Sequence, residues 1–247
     1  MAARLKLTIA YDGALFGGWQ SQAHGNTIQD HLEDVFRHVA GKEIRVHGAG
    51  RTDAGVHALG QCAHVDVPDR TRSAAVWQRA LNALLPPTIR VLHCRYVSSD
   101  FHARFSAKGK IYRYRIWAAP VLPPLEVGRA WHISAPLDFK RIICAARNFI
   151  GRHDFTAFAA NRGKKEANTM RTIHSVHVRK RGALITINFN GDGFLYKMVR
   201  LMVGSIIRCG LGKMPPHNIV ESLDAPRTAS LRFAAPAEGL ILVRIHY

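Results

Sequence analysis

The chain opens in alternation. Leu5, Leu7 and Ile9 are apolar and Lys6, Thr8 and Ala10 stand between or after them, which predicts a half-buried first strand. Tyr11-Asp12-Gly13 turns it, and a glycine-rich stretch with two aromatics follows, Phe16-Gly17-Gly18-Trp19-Gln20-Ser21-Gln22. The period then lengthens. Ile28, Leu32, Val35, Phe36 and Val39 share one helical face, with Asn26 and Gln29 spaced as a capping box and Gly41 as the stop. Residues 44–46 predict a short strand, a glycine-rich loop comes next, and alternation resumes over residues 62–67 with Ala63, Val65 and Val67 on one face. Ser73 opens a second helix that runs to Leu85 and is closed by Pro86-Pro87; residues 89–96 read as another strand. The order strand–helix–strand–strand–helix–strand is that of ferredoxin-like and RNA-recognition modules, and of other α+β folds.

In the second half, Lys110-Ile111-Tyr112-Arg113-Tyr114-Arg115-Ile116 alternates strictly, with both tyrosines opposite both arginines. Aromatics interleaved with arginines on a strand suit base stacking with phosphate contact. Core packing is the competing use, expected for one of the two tyrosines. A helix capped near Asp138 turns Phe139, Ile142, Ile143, Ala146, Phe149 and Ile150 inward and ends at Gly151. Residues 158–171 form a polar loop bearing Arg162, Lys164, Lys165 and Arg171, and residues 173–178 and 183–189 predict a hairpin about Lys180-Arg181-Gly182. From Phe194 to about Cys209 almost no polar face remains, which predicts a buried helix with Arg200 in its middle. A buried guanidinium is costly unless paired, so Arg200 calls for a carboxylate from elsewhere, with Glu238 or an escape to solvent as alternatives. A proline-rich segment (Pro215, Pro216, Pro226, Pro236) precedes a last strand at residues 240–245.

Charge changes this picture more than composition does. The 247 residues, 47% hydrophobic, suit a globular chain with a sizeable core. Yet 35 Lys+Arg stand against 17 Asp+Glu, a net +18. Such an excess points to a polyanionic partner, nucleic acid ahead of a membrane surface. No acidic residue occurs from Phe101 to Leu125, where Arg104, Lys108, Lys110, Arg113 and Arg115 lie. Cys62, Cys94, Cys144 and Cys209 are scattered through apolar segments without C-x-x-C pairing, so buried free thiols in a reducing compartment are expected, and no zinc site. The first residues pass straight into strand patterning, leaving no room for a secretion signal, and no apolar run approaches membrane-spanning length. A cytoplasmic location is expected.

The chemistry concentrates in Gly48-Ala49-Gly50-Arg51-Thr52-Asp53-Ala54-Gly55-Val56-His57-Ala58-Leu59-Gly60-Gln61, where four glycines let the backbone bend and other groups come close. Asp53 and Arg51 stand two apart within it. A lone carboxylate there can be a nucleophile, a base, a metal ligand or a turn former. His57 and His64 are near in sequence but show no ligand spacing, so no metal is expected.

Gly50-Arg51-Thr52-Asp53-Ala54-Gly55-Val56-His57 resembles the active-site loop of the TruA-type tRNA pseudouridine synthases. Five further stretches are similar to motifs of that family, in its order. They are Tyr11-Asp12-Gly13 with Phe16 and Gly18-Trp19-Gln20, then Phe101-His102-Ala103-Arg104-Phe105-Ser106-Ala107, then Tyr112-Arg113-Tyr114. Gly193-Phe194-Leu195-Tyr196 with Met198-Val199-Arg200 and finally Ala235-Pro236-Ala237-Glu238-Gly239-Leu240 complete the set. The resemblance implies an α+β fold of two related halves, here 1–105 carrying the loop and 106–247. The halves would share a largely antiparallel mixed sheet flanked by helices, with the active site in a cleft between them. It implies isomerisation of uridine to pseudouridine at positions 38, 39 and 40 of the tRNA anticodon stem-loop, without metal or organic cofactor, by a homodimer. It further implies Asp53 as the catalytic aspartate, Arg200 as its ion-pair partner, Tyr112 stacked on the target base, Arg51 helping to extrude that base, and Phe194 and Leu240 near the pocket. Arg104, Arg113, Arg115, Arg162, Lys164 and Lys165 are expected to contact RNA on charge alone. On the residues alone, an RNA-binding module without chemistry and a metal-dependent nuclease using Asp53, His57 and His64 also remain open.

Overall fold

The computed structural model describes residues 3–23, 25–160, 168–226 and 233–247. It divides into two compact units, Met1–Lys108 with Ile241–Tyr247, and Gly109–Leu240. In the first unit, β1 (Ala3–Tyr11) lies antiparallel between β3 (His57–Val67) and β4 (Ile89–Val97), with Leu5 opposite Val65 on one side and Tyr96 on the other. β2 (His47–Gly48) pairs antiparallel with β3, and the chain's last strand, β10 (Leu240–His246), joins β3 in parallel at His57 and Ala58. The alternation of β1 is reproduced residue by residue: Leu5, Leu7 and Ile9 are fully buried and their neighbours are not. With them are buried Ile28, Leu32 and Phe36 of α1 (Ile28–Ala40) and Trp77 and Leu81 of α2 (Ala74–Leu84). The Phe36 and Trp77 rings meet at 5.7 Å.

Two local expectations shift. The capping box of α1 is Thr27 with Asp30, not Asn26 with Gln29. Asn26 has φ 55°, outside the extended conformation an N-cap requires, whereas Thr27 has φ −109° and ψ 161°. Residues 44–46 are not a strand, although Ile44 and Val46 are buried. The main chain of Val46 is satisfied by α1 instead: its N–H donates to Glu33 Oε1 at 2.9 Å and its carbonyl accepts from Gln29 Nε2 at 3.3 Å.

The second unit is an antiparallel sheet in the order β5 (Gly109–Ala118), β9 (Leu184–Gly191), β8 (Met170–Arg181), β7 (Gly151–Asp154), with β6 (Trp131–Ile133) parallel to β5. The expected hairpin is β8–β9, turned at Gly182 with φ 56°. Helices α3 (Phe139–Arg147) and α4 (Met198–Gly210) pack closely: a Cβ on Gly210 would stand 2.7 Å from Ile142 Cγ1. α3 stops short of Gly151, which instead begins β7, so Ile150 is exposed while Phe149 stays buried. α4 begins at Met198, because Lys197 has φ 57° and interrupts the run from Phe194. Arg200 therefore lies in the first turn, not the middle. A further helix, α5 (His217–Asp224), follows Pro215-Pro216 within the proline-rich segment, where no helix is expected from the sequence. Of the cysteines only Cys62 and Cys209 are buried; Cys94 is half-buried and Cys144 is exposed on α3. Among the described residues no helix is long and apolar enough to cross a membrane.

His64, buried in the first unit, sets an acid limit on stability. Its Nδ1 accepts the Ala103 N–H at 3.1 Å, its ring stacks on His47 at 4.9 Å, and His102 meets it edge-on at 4.7 Å. Burial, with Arg4 nearby, pushes its pKa down to about 4. The unfolded chain takes up this proton near pH 6.5 and the folded chain does not. The contribution is therefore intact above about pH 6.5 and is lost progressively as the pH falls towards 4. Urea unfolding should show the wild type losing about 2 kcal/mol more between pH 7 and pH 5 than His64→Gln, whose amide can still accept from Ala103. Equal losses in the two proteins would mean that His64 charges freely in the fold.

Candidate active site

β2 and β3 hold residues 49–56 between them, and the loop is tied at both ends. The Ala49 N–H donates to the Cys62 carbonyl at 2.8 Å, and the buried Gln61 amide donates to the Gly50 carbonyl at 2.9 Å. Asp53 opens a turn in which the Val56 N–H donates to the Asp53 carbonyl at 3.1 Å. Its third residue, Gly55, has φ 78°, a conformation that side chains disfavour. Thr52 is pinned by the preceding segment: its hydroxyl shares a 2.8 Å hydrogen bond with the Tyr11 hydroxyl, and its carbonyl accepts the Trp19 N–H at 3.1 Å. Burial pushes the Tyr11 phenol up to about 12, so this bond keeps its proton at neutral pH.

The glycines of the opening motif serve this contact. A Cβ on Gly18, whose φ is 97°, would stand 2.6 Å from the Thr52 carbonyl oxygen, and one on Gly13 would stand 2.0 Å from that of Val56. Asp53 is half-buried on this rigid support. Arg51 is exposed, and its Nε donates to Gln20 Oε1 at 3.1 Å. Gln20 in turn donates to the buried Gln29 of α1 at 2.7 Å, and Gln29 donates to Glu33 at 2.8 Å. A helix thus steers the guanidinium next to Asp53 in sequence.

In the second unit, Tyr114 is fully buried and is the tyrosine that core packing takes, whereas Tyr112 keeps an edge open to solvent. The pleat of β5 places the pair opposite Arg113 and Arg115, as the alternation requires. Tyr114 is wholly enclosed: its hydroxyl donates to the Pro236 carbonyl at 2.7 Å and its ring lies against Gly239. Burial drives its pKa far above the ordinary value. Tyr112 keeps 8% exposure and meets Phe194 edge-on at 5.0 Å. Arg200 is half-buried and bonded twice to the closing motif: its Nε donates to the Ala235 carbonyl at 2.7 Å, and the Ala235 N–H donates to the Arg200 carbonyl at 3.0 Å. Leu240, buried, begins β10 just beyond.

The cations differ in how much they can offer a phosphate. Arg104 is exposed. Arg113 donates from Nε to Asn188 at 2.9 Å, whereas Arg115 is ion-paired with Glu126 at 2.6 Å and so carries a neutralised charge. Arg162, Lys164 and Lys165 lie outside the described residues. His57 and His64 have separate local partners: His57 Nδ1 is 3.1 Å from both the Gly13 nitrogen and Asp12 Oδ1, and His64 serves Ala103. Among the described residues no group of three His, Cys, Asp or Glu side chains is placed to hold a metal ion. Sequence reasoning missed Thr52, Gln20 and Gln29 as supports of the loop. The Gln29 spacing was itself the signal, but it marks a buried bridging amide rather than a cap.

A sequence model of the family described as tRNA pseudouridine synthase matches residues 7–106 and 145–247. The chain is 47% identical to tRNA pseudouridine synthase A of Akkermansia muciniphila, over 99% of this chain and 95% of that one. It is 42% identical to the protein of the same name from Methylacidiphilum infernorum (98% and 94% covered) and 41% to that from Lactobacillus helveticus (100% and 95%). Among solved structures, a Cbf5-Nop10-Gar1 complex aligns with 97% of this chain and 47% of its own at 13% identity and a TM-score of 0.35, too slight a likeness to bear on the argument. A rigid carboxylate-bearing loop in a strongly basic α+β chain, matched from end to end by these relatives, has one reading: the chain belongs to the tRNA pseudouridine synthase family, isomerases that convert uridine to pseudouridine in tRNA.

Proposed function

We propose that the enzyme acts on uridines 38, 39 and 40 of the tRNA anticodon stem-loop, in the cytoplasm and as a homodimer, with Asp53 as the catalytic carboxylate. The observation that carries the reading is the loop itself. Asp53 stands half-buried at the head of a turn that a main-chain bond closes and that Tyr11, Trp19 and Gln61 brace, so the carboxylate is carried on a fixed support. The reaction breaks the C1′–N1 bond, turns the uracil and joins C5 to C1′; C5 gives up its proton and N1 acquires one. A carboxylate serves it either by attacking C1′ or by assisting the proton abstraction that gives a glycal. Arg200 is the counter-charge that keeps Asp53 ionised, Tyr112 stacks on the target base, and Arg51 helps to hold the base out of the stem, a step costing a few kcal/mol. Phe194 supports Tyr112, and Leu240 lines the pocket. The test is incubation with unmodified tRNA, followed by carbodiimide-dependent primer-extension mapping. Stops at one or more of the three positions are expected, and stops only elsewhere would reject the assignment.

RNA affinity in this reading comes from Arg104, Arg113 and the cations at 162, 164 and 165. Each neutralised phosphate contributes roughly −0.7 to −0.9 to the slope of log K against log salt, so five give a slope near −4. Arg104→Ala should make it shallower by about one. Arg115→Ala should leave it unchanged, because Glu126 already balances that charge. A flat salt dependence would refute the electrostatic assignment.

A further inference from the structure

Phe105 is the exposed end of a train of aromatic rings. Its side chain is 76% exposed, and its ring lies on that of His102 with centroids 4.3 Å apart and planes 31° apart. His102 meets His64 at 4.7 Å, and His64 stacks on His47, the residue that leads into the Asp53 loop. The turn that presents Phe105 is held by several bonds. The His102 N–H donates to Ser106 Oγ at 3.0 Å and the Ser106 N–H returns to the His102 carbonyl at 2.9 Å. His102 Nδ1 accepts from the Arg104 and Phe105 N–H groups at 3.1 and 3.3 Å. The Arg104 guanidinium lies 5.7 Å from the centre of the Phe105 ring.

A single exposed apolar side chain is ordinary on a protein surface. An aromatic ring backed by a second ring, flanked by an arginine and fixed on a braced turn is a prepared stacking surface. It also sits where the chain runs from Phe101 to Leu125 without an acidic residue. Burial and neighbouring cations hold His102 below its usual pKa, so the backing ring does not add a charge beside Arg104.

We propose that Phe105 stacks on an unpaired nucleobase of the RNA substrate while Arg104 contacts a phosphate of the same strand. The proposal rests on the RNA-modifying function above and adds a contact that recognises a single-stranded segment rather than the reacting uridine. Stacking on an aromatic side chain accounts for roughly tenfold in affinity per base.

The test uses the full chain, an unmodified tRNA transcript, an RNA hairpin carrying 2-aminopurine in its loop, and a fully paired RNA duplex. Phe105→Ala should weaken tRNA and hairpin binding about tenfold, abolish quenching of 2-aminopurine and leave the salt slope and duplex binding unchanged. Phe105→Tyr should restore both binding and quenching, whereas Phe105→Leu, apolar but without a π face, should not. Melting temperatures should match the wild type, since the ring is exposed. Unchanged hairpin affinity and quenching in Phe105→Ala would overturn the proposal. So would an equal loss on the duplex, or a change in oligomeric mass by light scattering, which would assign the ring to a contact between copies. None of these readouts needs turnover. Quenching that depends on Phe105 in a protein that forms no pseudouridine would reject the proposed function and leave the stacking surface standing.

Discussion

Asp53→Asn is expected to leave no detectable pseudouridine after long incubation while tRNA affinity stays within about tenfold of wild type, or roughly 1.4 kcal/mol. The two halves of that expectation have separate physical grounds. The loop keeps its shape because these bonds hold it: Val56 to the Asp53 carbonyl, Thr52 to Tyr11 and Trp19, and Gln61 to Gly50. The amide is nearly the size of the carboxylate and disturbs none of them. RNA attraction also persists, since it comes from an excess of cations spread along the chain. What disappears is the negative charge that the proposed mechanism uses to attack or stabilise C1′. Loss of affinity together with activity would return Asp53 to the role of a turn former whose side chain bonds its own backbone. Retention of activity would remove this loop from the chemistry. Asp53→Ala separates these cases further: a structural aspartate is costlier to truncate than to amidate, whereas a catalytic one is lost equally in both.

The sequence carried the elements whose signal is periodic and lost those whose signal is a single dihedral or a distant partner. β1 and α1 follow from alternation and helical spacing, because one face of each must be buried, and α2 follows from its Ser73 start and proline stop. The start of α4 was invisible. Phe194 and Leu195 continue the apolar run, but Lys197 adopts a left-handed conformation that composition does not announce. The strand β2 was misplaced for a different reason: buried Ile44 and Val46 look like a strand, yet the main chain of Val46 is satisfied by side chains of α1. At the proposed site, the glycine pattern marks the bend that carries Asp53 and Arg51 but leaves their roles open. Their supports were not, since Tyr11–Thr52 and Gln20–Arg51 join residues 41 and 31 positions apart. Arg115 has a partner that charge counting over a segment does not reveal: it is balanced by Glu126, which lies just past the acid-free segment.

Arg200 tests the second unit as Asp53 tests the first. Arg200→Ala removes the Nε bond to the Ala235 carbonyl while sparing the return bond from the Ala235 N–H, which uses main chain only. The side chain is half-buried, so the loss of stability should be about 1–3 kcal/mol, that of a hydrogen bond from a charged group. The larger figure for stripping a fully buried pair does not apply. Turnover should fall by about a hundredfold or more if the guanidinium keeps Asp53 charged, because a neutral carboxyl neither attacks C1′ nor stabilises it. Arg200→Lys distinguishes charge from geometry. It restores a cation but not a planar fork able to hold Ala235 and a carboxylate together, so it should recover part of the stability and little of the rate. The pairing itself is measured by the cycle with Asp53→Asn. If the two groups act on each other, the stability losses of Asp53→Asn and Arg200→Ala should fail to add in the double variant by more than about 0.5 kcal/mol. Additive losses with turnover within tenfold of wild type would leave Arg200 as a brace for the closing motif and nothing more.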